Sequence, residues 1–81
     1  MSRHSHEFVE HYKGLIGFGL DRETDENTVC CYLQKFSDDG LLEQLRERLS
    51  DAELNEIFSL VSRLLQKHLS EEEYHRYFIK D

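Results

Sequence analysis

Apolar side chains recur with a helical period through most of the chain, and the clearest run lies between Ser50 and Leu69. There Leu54, Ile57, Phe58, Val61, Leu64 and Leu65, with His68 at the end of the stripe, follow at i, i+3, i+4, i+7 spacing. That spacing places them on one face of an α-helix. Ser50 and Glu53 stand just before them as an S-x-x-E capping box, in which each side chain satisfies the other residue's backbone N–H. Ser70 and Glu73 repeat the box. They open a last short helix with Tyr74, Tyr77 and Phe78 on one face, expected to dock on the core.

The same pattern is weaker upstream. Phe8, Val9, Tyr12, Leu15, Ile16 and Leu20 share a helical face with Gly19, while Gly14 and Gly17 fall on the opposite side, so three glycines lie within six residues. Each glycine costs up to about 1 kcal/mol relative to alanine in a helix. The expected helix therefore starts near Ser5, reaches Ile16 or Gly17, and then unwinds. Asp21 or Thr24 caps the next helix, whose Val29, Tyr32, Leu33 and Phe36 share an apolar face. The TVCCYL stretch is rich in strand formers, but a lone strand has no partner here, so helix is the expectation. Ser37 or Asp38 caps a short helix with Leu41, Leu42, Leu45 and Leu49 inward. The fold expected is all-α: a compact single domain over residues 1–81, with four to five helices packed around a central helix at about 51–69.

Composition limits what such a fold does. The 81 residues carry 17 acids against 10 lysines and arginines, a net charge of −7, and no proline. A domain this size buries only roughly 60% of its unfolded surface, so its core is thin and a second copy is one way to complete it. The acidic balance opposes nucleic acid and anionic membrane as partners and suits a protein partner. No apolar run has the length of a signal peptide's core or of a membrane span. Cys30 and Cys31 are adjacent and cannot staple distant segments, so no secreted disulfide framework is present. The cytoplasm is the expected location.

Candidate chemistry is sparse. No serine lies in a G-x-S-x-G elbow, and GLIGFGL lacks the lysine of a phosphate-binding loop. Pairing the 38–49 and 51–68 helices as a helix-turn-helix fails because the second begins with Asp51, Glu53 and Glu56, where phosphate contacts belong. A catalytic thiol needs nearby positive charge, and Asp25 and Glu26 precede the cysteines instead. His68, near the C-terminus of its helix, reads as a partly buried histidine favourable to the helix dipole.

Two metal patterns exist. His6 and Glu10 form H-x-x-x-E beside His11, and Glu72 and His75 form the E-x-x-H spacing of di-iron bundles. Convergence of the first and last helices would join them. The sequence Ser2-Arg3-His4, once freed of Met1, offers four nitrogens suited to copper. Neither pattern supplies a full ligand set of the bundle type, so no cofactor is expected.

The function expected is a small, acidic, non-enzymatic interaction or regulatory protein acting as a homodimer. The alternative is a metal-binding helical protein using His6, Glu10, His11, Glu72 and His75. A subunit whose core is completed within a larger assembly is a third reading. Interface candidates are Phe18, off the apolar face of the first helix; Cys31 and Tyr32, near the outward side of the 28–36 helix; and the C-terminal aromatics Tyr74, Tyr77 and Phe78. Exposed apolar groups of this kind mark contact surfaces.

Overall fold

A computed structural model describes residues 6–81. Those residues form five helices and no strand, so the protein is all-α. The helices are α1 (Glu7–His11), α2 (Arg22–Phe36), α3 (Asp39–Leu45), α4 (Asp51–His68) and α5 (Glu71–Glu73), which continues as a π-helix over Tyr74–Ile79. None of them is long and apolar enough to cross a membrane. The chain divides into two compact units, Met1–Arg48 and Leu49–Asp81.

The caps lie where local chemistry puts them. Asp21 accepts the Thr24 N–H at 2.9 Å to start α2, and Asp38 accepts the Gly40 N–H at 3.3 Å to start α3. Both capping boxes close: Ser50 accepts from Glu53 N–H and Glu53 from Ser50 N–H, and Ser70 and Glu73 do the same. Thr24, through its backbone N–H first and then its hydroxyl, holds the Asp21 carboxyl below the ordinary carboxylate range. A lowered folded-state pKa stabilises α2 above the unfolded value, and that stabilisation fades as pH falls through the folded value. An NMR titration is expected to show Asp21 protonating at lower pH than a free aspartate. The start of α2 should fray over that same interval.

In the first unit, α1 is shorter than its apolar spacing predicts. It ends at His11, and Tyr12 turns to an extended conformation. The helix expected to reach Ile16 or Gly17 is replaced by an irregular segment, because three glycines weaken helix propagation and the Tyr12 hydroxyl donates instead to the Leu15 carbonyl at 3.0 Å. The Tyr12 ring occupies the space a Cβ at Gly14 would need. Gly19, at φ +92°, takes a backbone conformation that L side chains rarely adopt.

This segment runs back along α2. Moving up α2, the hydrogen-bonded pairs are Gly19 N–H to Asp25 Oδ1 at 2.8 Å, Gly17 with Thr28, Val9 N–H to Gln34 Oε1 at 2.9 Å, and His6 Nε2 with Ser37 Oγ at 2.8 Å. One set of numbers falls as the other rises, so residues 6–20 lie antiparallel to α2. The Thr28 hydroxyl accepts the Gly17 N–H and donates to the Gly17 carbonyl, each at 3.0 Å. An irregular backbone leaves N–H and C=O groups without ladder partners, and these polar side chains supply them.

That requirement reverses the expected orientation of α2. Thr28 and Cys31 are its buried residues, 4% and 3% exposed, with Thr24, Asn27 and Gln34 half-buried beside them. Val29 and Leu33 of the apolar face are exposed, as is Tyr32, expected near the outward side, and Phe36 is half-buried. Cys31, expected to face solvent or a partner, is buried, and Cys30 is the exposed thiol. Among the described residues only Val9, Thr28 and Cys31 are buried.

In the second unit, α4 forms over the expected range, but none of its residues is fully buried. Its expected inward face is at best half-buried, at Ile57 and Leu65. His68 is exposed in the last turn rather than partly buried. After Glu73 the helix widens to i→i+5 bonding, with the Lys80 N–H reaching the His75 carbonyl at 2.7 Å.

Candidate interaction surface

On α4, Leu54, Phe58, Leu60, Val61 and Leu64 are all exposed. The sequence period forces Leu54, Phe58, Val61 and Leu64 together, since i, i+3, i+4, i+7 positions stack on one side of the cylinder, and Leu60 borders them. The stripe has two flanks. Phe58, Val61, Leu65 and Leu69 join Tyr74 and Phe78 of the C-terminal helix around an open groove of about 590 Å³. Tyr74 and Phe78 stack with centroids 5.3 Å apart and planes 15° from parallel. On the other flank stand Leu60 and Leu64, bordered in sequence by Glu53 and Lys67.

Leu60 is absent from the stripe read at strict spacing from Leu54. The detectable signal was its place three residues beyond Ile57 and four before Leu64.

The polar lining of the groove is Ser62, Gln66, Ser70 and Glu71, with no histidine, cysteine or lysine. The Ser70 hydroxyl is occupied as a cap acceptor for Glu73. A nucleophile paired with a base, as acyl transfer requires, is not among the lining residues.

The interface candidates fall into three kinds. Phe18, Tyr32, Tyr77 and Phe78 are exposed, and Arg76 lies over the Tyr77 ring at 5.9 Å. Tyr74 is half-buried in its stack with Phe78. Cys31 is buried and leaves the set. The outer face of α2 gains Val29 and Leu33 beside Tyr32. Thr28 and Asp25, which anchor the glycine segment, carried no sequence signal beyond their polarity inside a helix.

The metal candidates have other partners. His6 bonds Ser37, Glu72 pairs with Arg76 at 3.4 Å, and His75 Nδ1 bonds Asp81 Oδ2 at 3.1 Å. Glu10 is half-buried and His11 exposed in the last turn of α1. Among the described residues no three His, Cys, Asp or Glu side chains come together as a metal ion requires. Ser2-Arg3-His4, like the expected helix start at Ser5, lies outside the described residues.

No protein-family model, curated protein or solved structure matches the chain.

Proposed function

We propose that the protein is a small, non-enzymatic interaction or regulatory module that works as a homodimer. The observation that carries this reading is the exposed stripe on α4. A well-capped 18-residue helix presents Leu54, Leu60, Val61 and Leu64 to solvent, with no residue of the helix fully buried. Amphipathic helices draw most of their stability from burying such a face, and contiguous exposed apolar surface marks association sites. The negative charge of the chain keeps the free protein soluble and favours protein over nucleic acid as a partner. Two unpaired cysteines suit a reducing compartment, and the reading places the protein in the cytoplasm.

Sedimentation equilibrium of the untagged protein at micromolar concentration is the test. The expected mass is twice the 9.7 kDa of the chain. A mass of one chain across that range overturns the homodimer.

A further inference from the structure

We infer that α4 is the self-association surface and that two copies of it pair antiparallel about a two-fold axis passing beside Leu60. This rests on the homodimer reading and specifies its geometry. Leu54, Ile57, Val61 and Leu64 repeat at three- and four-residue steps, the a and d seam by which helices pack side by side. Two heptads are too few for a free-standing coiled coil. They suffice as a helix–helix contact between folded units.

The direction of pairing comes from the charges. Asp51, Glu53 and Glu56 occupy the first half of α4, and Arg63 and Lys67 the second. Part of this polarity suits the helix dipole, whose influence falls off within the terminal turns. Glu56 and Arg63 lie inside those turns, so the dipole does not account for them. Like halves repel in a parallel pair and opposite halves attract in an antiparallel one.

The register comes from the seam's flank. With Leu54 and Ile57 as a and d, Glu53, Leu60 and Lys67 occupy successive g positions. In an antiparallel pair these g positions face one another across the axis. Leu60 then meets its own copy, and Glu53 stands across from Lys67 of the second copy at both ends, about 10 Å from the axis. A closed two-fold contact uses the same patch twice, and this patch is complementary to itself. Leu60 is 47% exposed and available to it. The opposite flank keeps its groove with Tyr74 and Phe78.

Charge reversal tests the arrangement. In K67E, Glu53 faces a glutamate at both ends; in E53K, Lys67 faces a lysine. Each single variant is expected to weaken the dimer about tenfold, two attractive pairs having become two repulsive ones. The double variant E53K/K67E, and an equimolar mixture of the two singles, are expected to return to wild-type affinity, because every facing pair is again opposite in sign. E53K also loses a cap acceptor for the Ser50 N–H, so helix content is followed by circular dichroism. K67E leaves that cap intact and decides alone if E53K unfolds. Singles that dimerise like the wild type overturn the antiparallel α4 contact while leaving the homodimer standing. A monomeric wild type removes the homodimer itself.

Discussion

Replacing Thr28 by valine is expected to destabilise the first unit by about 2 kcal/mol. Valine keeps the branched shape and removes only the hydroxyl. That hydroxyl is 3.0 Å from both the N–H and the carbonyl of Gly17, and the residue is 4% exposed. A buried polar group left without a partner costs about 1 to 3 kcal/mol. Gly17 itself is half-exposed, so water recovers part of the loss, which holds the total for two groups near the lower end. Serine at the same position retains both bonds and loses a methyl, with an expected cost of about 1 kcal/mol. Urea unfolding followed by tyrosine fluorescence measures both. Equal stability of the valine and serine variants would show that the hydroxyl does not hold the glycine segment against α2.

Replacing Leu60 by aspartate is expected to reduce self-association by about 100-fold or more while leaving the helix intact. The two-fold contact counts the change twice. Two leucine side chains, each roughly half exposed in the free chain, lose the burial they gain on pairing, worth about 1 kcal/mol apiece. Two carboxylates then meet at the axis, where each is partly desolvated beside a like charge. Together these exceed about 2.8 kcal/mol, the equivalent of 100-fold in affinity. Ser59 is exposed on the opposite side of α4, and Ser59→Asp is the matched control, expected to leave association unchanged. Sedimentation gives the association and circular dichroism the helix content. An unchanged dimer in the Leu60 variant would place the contact elsewhere, and the outer face of α2 with Val29, Tyr32 and Leu33 would be next to test.

The limits of α2 and α4, and the starts of α2, α3, α4 and α5 with their caps and boxes, were legible from residues at most four apart, whereas α3 ends at Leu45, short of the expected Leu49. Asp21 with Thr24, Asp38 with Gly40, Ser50 with Glu53 and Ser70 with Glu73 make contacts the chain makes with itself locally, wherever the rest of it goes. Helical period likewise grouped Leu54, Phe58, Val61 and Leu64 on one side of α4 before any packing was known. Which side of a helix faces inward is a different matter. On α2 the apolar side, with Val29 and Leu33, was the natural inward choice, yet Thr28 and Cys31 are the buried pair. The reason lies 11 to 31 residues away: an irregular glycine segment whose backbone groups need side-chain partners that only the Thr24–Gln34 side of α2 carries. The early end of α1 has the same origin, since Tyr12 and the glycines together favour extended backbone over another helical turn. By itself, then, the sequence determined an all-α chain, the limits of α2 and α4, the helix-starting caps and the apolar stripe of α4. The tertiary structure alone decided the buried face of α2 and the loop over residues 12–20, because each depends on hydrogen bonds and packing between segments far apart in the chain.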